Sequence, residues 1–200
     1  VAEFESGPPL SADMALLALG VLPETNLAPA AKLELGEKGG VVVDEHMRTS
    51  DADIYAVGDA VVVRNSVTGR AAPVPLAGPA NKQGRIAADN ICGIPSVYRG
   101  AQGSSVLKLF DLTAASTGLN ERAAKAAGLD VGNVLLFLPD HATYYPGARN
   151  MTLKVLYEKT DGRILGAQAV GFAGVEKRID VLAVAIRAKM TARSLTELDL

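Results

Sequence analysis

The sequence predicts an α/β region followed by an α+β region with an antiparallel sheet. In the first region, continuous apolar runs of strand length, such as 13–19, are typical of parallel strands that are covered on both faces. Residues 93–103 contain Pro95 and three glycines without a periodic pattern, which indicates a boundary between domains. Beyond that boundary, segments that alternate apolar and polar residues predict antiparallel strands.

The composition is that of an ordinary globular chain. It has 200 residues, of which 48% are hydrophobic and 21% charged, and a formal net charge of −2. The chain therefore has no basic field that would attract nucleic acid or an anionic membrane. Its longest apolar runs fall far short of the roughly 20 residues of a membrane span, and no charged-then-apolar leader precedes residue 1. We expect a cytoplasmic protein that binds neither nucleic acid nor membranes.

The few cysteine and histidine residues limit the possible chemistry. Cys92 is the only cysteine, so neither an internal disulfide nor a cluster of thiolate ligands can form within the chain. It stands at the end of a predicted helix without a cationic neighbour, so a structural role is favoured over a reactive one. His46 lies in a polar turn with no partner at ligand spacing, and we expect a solvated loop residue and no metal site.

The functional interpretation depends on one stretch of the first region. Residues 41–43 form a short β-branched strand, and 54–57 form an apolar strand that ends at Gly58 and Asp59. That order suits a buried strand whose carboxyl end delivers an acid to a ligand crevice, because glycine permits a close approach. A strand followed by a simple turn aspartate is an equally good interpretation of the spacing alone.

A helix is predicted over 80–92. Pro79 precedes it, at a position where the first helical turn tolerates a missing N–H. The exposed amides of that turn carry the positive end of the helix dipole, which suits a negatively charged ligand group. A proline-initiated helix that only packs on a sheet is the structural alternative.

The second region alternates strands with two helices. Asn120 is a plausible N-cap for a short helix that Gly128 ends. The residues KTDGR predict a hairpin turn between two strands. The predicted strands are 105–112, 113–118, 131–138, 151–157 and 164–170, and the predicted helices are 121–127 and 175–190. We expect these segments to form a three- or four-stranded antiparallel sheet with helices on one side.

Five stretches of the sequence together resemble one enzyme family. TSDADIYAVGDA is similar to the second flavin motif of the two-dinucleotide-fold disulfide reductases, and GGVVVDEHMRTS and VPLAGPANKQGRIAADNI flank it in the family's order. HATYYPGA and GVEKRIDVLAVAI narrow the resemblance to the single-cysteine branch, which comprises coenzyme A disulfide reductases, NADH oxidases and persulfide reductases. The resemblance runs from about residue 10 to the end of the chain.

The resemblance implies partial dinucleotide-binding (Rossmann-like) segments followed by a dimerisation domain. It assigns 1–35 to the tail of an NAD(P)-binding domain, 36–98 to the carboxyl-terminal part of an FAD-binding domain and 104–200 to the dimerisation domain. Members of the family begin with a Gly-x-Gly-x-x-Gly turn that binds the FAD pyrophosphate, followed by a redox cysteine. The sequence contains neither, so we expect a carboxyl-terminal fragment of a longer enzyme.

The family's cofactor and substrate contacts carry over to five positions. The resemblance places Gly58 and Asp59 at the ribityl chain of FAD, which the aspartate would bind. It places the backbones of Leu76 and Ala77 near the flavin pyrimidine edge, which gains negative charge on reduction. Asn81 matches a position that contacts coenzyme A in relatives, although a helix-capping role is equally compatible with its place in the sequence.

The adjacent tyrosines Tyr144 and Tyr145 are the second functional candidate. From the residues alone, one buried ring and one exposed ring is the preferred explanation. In the coenzyme A disulfide reductases, the first tyrosine of this motif reaches across the dimer to the partner's active cysteine, where its phenol can donate a hydrogen bond. The resemblance therefore implies a catalytic role for Tyr144, with Tyr145 as a substitute near the substrate. In the two-cysteine enzymes of the family, a carboxyl-terminal histidine paired with a glutamate acts as the acid–base catalyst. Neither His46 nor His141 lies in such a motif, which disfavours a dithiol mechanism for this chain.

The activity that the resemblance implies is that of a flavin-dependent oxidoreductase. NAD(P)H would reduce FAD, and the electrons would pass to a mixed disulfide or persulfide on a cysteine outside this chain, with release of a thiol such as coenzyme A. The family implies a homodimer that acts on small thiol or disulfide substrates. An NADH oxidase that reduces oxygen and a non-catalytic dimerisation module are the alternatives. Because half of the FAD site is missing, we expect the chain alone to be inactive and colourless.

Overall fold

Helices and strands follow one another in two groups, which a computed structural model describes over residues 1–199. The first group consists of α1 (Leu27–Ala30), β1 (Val41–Val42), β2 (Val61–Arg64), β3 (Ala71–Pro73) and α2 (Ala77–Ile91). The second group consists of β4 (Ser105–Leu109), β5 (Leu112–Gly118), α3 (Glu121–Ala126), β6 (Val131–Pro139), β7 (Asn150–Glu158), β8 (Ile164–Gly171) and α4 (Val175–Arg187). Short 3₁₀ turns lie at Glu37–Gly39, Gly58–Ala60 and Arg193–Glu197.

A small three-stranded sheet organises the first group. β1 pairs in parallel with β2, and β2 pairs antiparallel with β3. The three valines at the start of β2 are all buried, and α2 packs over the same core through Ala87. The core consists of Ala28, Val41, Met47, Val61, Val63, Ala87, Tyr98 and Ala101. The strand predicted at 41–43 is thus confirmed, one residue shorter than expected.

The strand predicted at 13–19 is wrong. The segment has no regular secondary structure, and each of its large apolar side chains is at least 80% exposed. A strand of this kind is stable only when neighbouring strands satisfy its backbone and apolar layers cover both faces. Within residues 1–199, the chain provides neither for this segment, where the nearest pairing is an isolated bridge between Ala2 and Leu10.

The buried strand predicted at 54–57 is also wrong. The segment makes one isolated bridge, between Tyr55 and Arg48, and Val57 is exposed. Ala56 donates its N–H to the carbonyl of Met47 at 3.1 Å, so one edge of the segment is satisfied. No described residue pairs with the other edge, and the segment therefore stays half-buried and irregular instead of joining a sheet.

Residues 93–103 have no regular helix or strand, as predicted for a boundary, yet they are not a free linker. Tyr98 is buried, and its N–H donates to the carbonyl of Glu45 at 2.7 Å. The Nε2 group of Gln102 donates to Thr117 Oγ1 at 2.7 Å, and Thr117 is itself buried in β5. This segment therefore fastens the second group of elements to the first.

Strands β4 to β8 form one antiparallel sheet in the order β4-β5-β8-β7-β6, so the sheet has five strands where three or four were expected. The hairpin of β7 and β8 is confirmed, with Leu156 opposite Gly166. β4 and β6 are the two edges of the sheet. The predicted α+β class of this unit is therefore correct, and only the number of strands in its sheet was underestimated.

The two helices of this unit pack on the sheet as their sequences predict. α4 buries Val175, Ile179, Leu182, Ala185 and Ile186, which contact an apolar cluster from β5, β7 and β8. α3 begins at the predicted N-cap, where Asn120 Oδ1 accepts the N–H of Ala123 at 2.8 Å. Its Ala124 lies in a separate small cluster with Leu119, Leu156 and Leu165.

Candidate functional site

The turn Gly58–Ala60 carries the predicted cofactor residues. Gly58 has a φ of +80°, in the left-handed region that favours glycine. Its N–H donates to Oε1 of Gln83 at 2.7 Å, and Gln83 on α2 is only 1% exposed. A buried glutamine on the helix therefore fixes the position of the turn against α2.

Asp59 follows Gly58 in the turn that precedes β2 and is exposed. Its carboxylate has no hydrogen-bond or ion-pair partner within residues 1–199, so both oxygens are available to an external donor. The structure places this acid in a tight turn, and not at the carboxyl end of a buried strand as predicted. The turn is nevertheless fastened to α2, because the Gly58 N–H donates to the side chain of Gln83.

The amino terminus of α2 lies next to this turn, and the helix begins three residues earlier than predicted, at Ala77. Leu76 uses both of its backbone groups: its N–H donates to Val74 at 2.9 Å, and its carbonyl accepts from Ala80 at 3.1 Å. No side chain caps the helix. The Ala77 N–H has no partner among the described residues, so Ala77 offers the free donor and Leu76 does not.

These groups fit the polyhydroxyl and electron-rich parts of a flavin nucleotide. An unpaired carboxylate can accept hydrogen bonds from hydroxyl groups, and the unpaired amide of Ala77 at a positive helix end can donate to an atom that gains negative charge. Open space surrounds Gly78 at the same helix end, where an added Cβ would meet nothing within 4 Å. The residues present are therefore compatible with the cofactor that the sequence predicts.

Asn81 is the fifth residue of α2 and is exposed. The capping role that its sequence position allowed is wrong, because the helix begins at Ala77 and its cap residue is Leu76. Its side chain makes no hydrogen bond within residues 1–199. The substrate contact stays a prediction.

The tyrosine motif lies in the loop between β6 and β7, which Asp140 and Arg149 close. Asp140 donates its N–H to the Arg149 carbonyl at 3.0 Å, and its Oδ1 accepts the Arg149 N–H at 3.1 Å. His141 Nδ1 lies 2.8 Å from the same oxygen. The N–H of Arg149, and secondarily His141, hold the pKa of Asp140 below its ordinary value, although desolvation opposes them.

Both tyrosine rings of this loop are exposed, at 81% for Tyr144 and 59% for Tyr145. Their centroids are 4.7 Å apart with the planes tilted by 37°, so the rings pack on each other. The expectation of one buried ring is wrong, because the loop projects from the edge strand β6 and has no core beneath it. Neither hydroxyl has a hydrogen-bond partner within residues 1–199.

The structure therefore brings together some candidates and leaves others apart. Gly58, Asp59 and Ala77 gather around the start of α2, whereas the tyrosine loop belongs to the second group of elements. No hydrogen bond or salt bridge in the described part of the chain joins the tyrosine loop to the Asp59 turn.

Besides Asp140, three supporting residues were not found from the sequence. Gln83 is a polar residue on the buried face of an amphipathic helix, and that position was a detectable signal. Arg178 Nη2 donates to the Asp140 carbonyl at 2.8 Å, and the Arg149 guanidinium lies 3.4 Å from the ring centroid of Phe172. Surface arginines carry no local pattern that would have indicated these contacts.

His46 and Cys92 both differ from what the sequence predicted. His46 is half-buried, with Nδ1 2.9 Å from the carbonyl of Ser96, so it is not the freely solvated residue that was expected. Cys92 is exposed at the end of α2, so burial gives no support to the structural role expected for it. Within residues 1–199, no group of three or more His, Cys, Asp or Glu side chains is arranged to hold a metal ion, and no helix has the length and apolar character to cross a membrane.

Comparison with known families identifies the class of protein. Residues 2–84 match the family model described as pyridine nucleotide-disulphide oxidoreductase, and residues 104–198 match its dimerisation domain. Because the two matches lie in the family's order and together span most of the chain, the chain belongs to the pyridine nucleotide-disulphide oxidoreductases.

Particular relatives narrow the similarity further. A solved NAD-dependent persulfide reductase from A. fulgidus is 49% identical, with a TM-score of 0.88 over 92% of this chain and 34% of that one. The reduced CoADR-RHD protein of Bacillus anthracis is 46% identical, with a TM-score of 0.91 over 98% of this chain and 35% of that one. The CoA-dependent NAD(P)H sulfur oxidoreductase of Pyrococcus abyssi is 36% identical over 94% of this chain and 42% of its own length. The chain thus spans less than half the length of these relatives.

Proposed function

We propose that this chain is part of a flavin-dependent oxidoreductase that uses NAD(P)H to reduce coenzyme A disulfide or a persulfide or polysulfide substrate. The observation that carries the proposal is the junction between the turn Gly58–Ala60 and the start of α2. The hydrogen bond from Gly58 to Gln83 holds the unpaired Asp59 carboxylate beside the open amino terminus of the helix. Sulfur-reducing relatives at up to 49% identity support the substrate class.

Each group at the junction has a distinct role in the proposal. Asp59 accepts hydrogen bonds from the ribityl hydroxyls of FAD, and the Ala77 N–H donates to the pyrimidine edge of the ring system. Leu76 contributes its position and not a hydrogen bond, since its own backbone groups are already paired. Bound FAD supplies the two-electron transfer between the nicotinamide and sulfur.

Tyr144 acts at the substrate sulfur in this proposal. Its hydroxyl is unpaired and exposed at the tip of a loop whose base is fixed by Asp140, so the phenol is free to donate to a group on another molecule. Tyr145 supports the Tyr144 ring by packing against it and lies near the same substrate. Asn81 provides a polar contact to coenzyme A from the exposed side of α2.

The proposed assembly is a homodimer formed through the second group of elements. Both edge strands of the five-stranded sheet expose large apolar side chains, including Leu107 on β4 and Phe137 on β6, which are 66% and 72% exposed. Exposed apolar side chains that cluster along an edge strand indicate an interaction site. A dimer through the β6 edge would present the tyrosine loop, which follows β6, to the site of the other subunit.

The substrate assignment is tested by the turnover of the whole protein with NADH or NADPH. We expect coenzyme A disulfide or polysulfide to be reduced faster than oxygen. Oxygen as the best acceptor would support the alternative of an NADH oxidase, and failure with every acceptor would contradict the proposal.

The role of Tyr144 is tested by Tyr144→Phe in the whole protein, with Tyr145→Phe as the matched control. Loss of one catalytic hydrogen-bond donor should lower kcat for sulfur substrates by about 10²-fold while flavin content is unchanged. Tyr145→Phe retains the ring that packs on Tyr144 and should have a much smaller effect. Equal turnover of Tyr144→Phe and the unmodified protein would remove the assignment.

A further inference from the structure

A cleft lies between the two groups of elements, away from the Asp59 turn. It has a volume of about 260 Å³ and is lined by the end of β2, the segment 99–102, the start of β8 and the end of α4. Five cationic residues and no acidic residue line it: they are Arg64, Arg99, Arg163, Arg187 and Lys189. A cleft with this lining attracts anions.

Most of this positive charge is uncompensated. Arg163 pairs with Glu158, with Nη2 2.6 Å from Oε2. Its Nε lies 3.7 Å from Oδ2 of Asp161. The other four cations form no ion pair within residues 1–199. All four are exposed, so solvent screens much of their mutual repulsion, and a bound anion would reduce what remains.

The cleft also contains a buried donor without a partner. Ser66 Oγ is shielded from solvent and has no hydrogen-bond partner within residues 1–199, and Ser66 lines the cleft. Arg163 Nε also makes no hydrogen bond, but it faces the Asp161 carboxylate at 3.7 Å. Buried polar atoms are nearly always paired with protein or ordered water, so the Ser66 hydroxyl is a donor that an acceptor bound in the cleft would satisfy.

The helix dipole of α4 does not account for this arrangement. Cations near a helix carboxyl end are stabilised by its free carbonyls, which explains Arg187 and Lys189. Arg64 ends a strand and Arg99 lies in the connecting segment, so neither belongs to that helix. Their convergence on the same cavity requires a separate cause.

We propose that this cleft binds a phosphate group, either as the free ion or as the end of a phosphate ester. A tetrahedral oxyanion has acceptor atoms on every side, which matches guanidinium and hydroxyl donors that approach from separate elements. The cavity is smaller than a typical pocket for an organic ligand and large enough for one phosphate. Because its walls come from both groups of elements, a bound phosphate would link them.

Thermal unfolding of the 200-residue chain in potassium phosphate, against potassium chloride at equal ionic strength and pH, tests the proposal. We expect a saturable rise in Tm with phosphate, because a ligand that binds only the folded state stabilises it. The double variant Arg99→Gln, Arg187→Gln should weaken the apparent affinity by at least about tenfold. Arg122→Gln removes an exposed cation on α3, outside the cleft, and should leave the affinity unchanged.

Ser66→Ala separates binding from a structural role. In chloride, this variant should melt no lower than the unmodified chain, because it removes a hydroxyl that has no partner. In phosphate its affinity should fall. A rise in Tm that chloride reproduces, or equal losses in the Arg122→Gln and Arg99→Gln, Arg187→Gln variants, would overturn the proposal.

Glycerol 3-phosphate distinguishes the two sources of the phosphate group. Half-saturation at a concentration similar to that of inorganic phosphate would show that the cleft accepts esters. Binding of inorganic phosphate alone would assign the site to the free ion.

Discussion

Asp140 shows how one residue can fix the base of a loop, here the loop that carries Tyr144 and Tyr145. Its N–H and its carboxylate both bond to Arg149 across nine residues, and its carbonyl accepts from Arg178 on α4. His141 adds a contact at 2.8 Å to the same carboxylate oxygen. The base of the tyrosine loop is therefore fixed, although the rings at its tip are exposed.

The lowered pKa of Asp140 predicts a pH dependence of stability. A carboxyl group whose pKa is lower in the folded state stabilises the fold above its ordinary value of about 3.9, and this contribution is lost as the pH falls through the folded-state value. Asp140→Asn removes the titrating group, so its Tm should fall less steeply than that of the unmodified chain below about pH 4.

Thermal melting between about pH 3 and pH 6 measures this difference. Asp111→Asn is the matched control, since Asp111 is exposed in the turn between β4 and β5. Its curve should parallel that of the unmodified chain. A parallel curve for Asp140→Asn as well would show that the carboxylate has no such role.

The sequence offered candidate functional residues where a motif carried them, and their roles stay predictions. Asp59 and Tyr144 were predicted from short motifs, and both are exposed with unpaired polar atoms in the described chain. Asp140 was missed because its role depends on the distant backbone of Arg149. Contacts of this kind depend on the folded path of the loop and leave no local pattern.

At the scale of elements, the junction between α2 and the turn Gly58–Ala60 is the central structural feature. Gln83 is buried on the helix and accepts the N–H of Gly58, so helix and turn cannot separate without exposing an unpaired amide. The bond therefore couples the position of Asp59 to that of the helix end.

Gln83→Met tests this coupling. The variant retains side-chain volume but leaves the Gly58 N–H without its acceptor, which should lower the free energy of unfolding by about 1 to 3 kcal/mol. Lys82→Met, at the adjacent exposed position on α2, should change it by less than about 0.5 kcal/mol. Urea unfolding measures both. Equal effects of the two substitutions would contradict the coupling.

Elements that depend on local contacts were predicted well, whereas two predicted strands without pairing partners within residues 1–199 do not form. The hairpin of β7 and β8 and the capped helix α3 depend on neighbouring residues, and both are present as predicted. The runs 13–19 and 54–57 have the apolar composition of strands, but a strand forms only when another strand pairs with it. Apolar composition alone could not show that the pairing is missing within residues 1–199.

At the scale of the whole molecule, the exposed edge strands predict association. Phe137→Asp places a charge in the proposed dimer interface and should raise the dimer dissociation constant at least about thirtyfold, as for a central interface residue. Val184→Asp is the matched control, because Val184 is also exposed, at 69%, but lies on α4.

Light scattering during size-exclusion chromatography measures both variants. The unmodified chain and Val184→Asp should elute as dimers, and Phe137→Asp should elute as a monomer. A dimeric Phe137→Asp protein would exclude the β6 edge from the interface.

The account as a whole rests on the proposal that Asp59 binds the sugar-alcohol chain of a flavin. The most direct test is the ratio of bound flavin to protein after purification of the whole protein, with Asp59→Asn compared with Asp53→Asn, a nearby exposed aspartate. We predict that Asp59→Asn weakens flavin binding about tenfold or more and that Asp53→Asn retains full flavin content. Full flavin content in Asp59→Asn would contradict the proposed site.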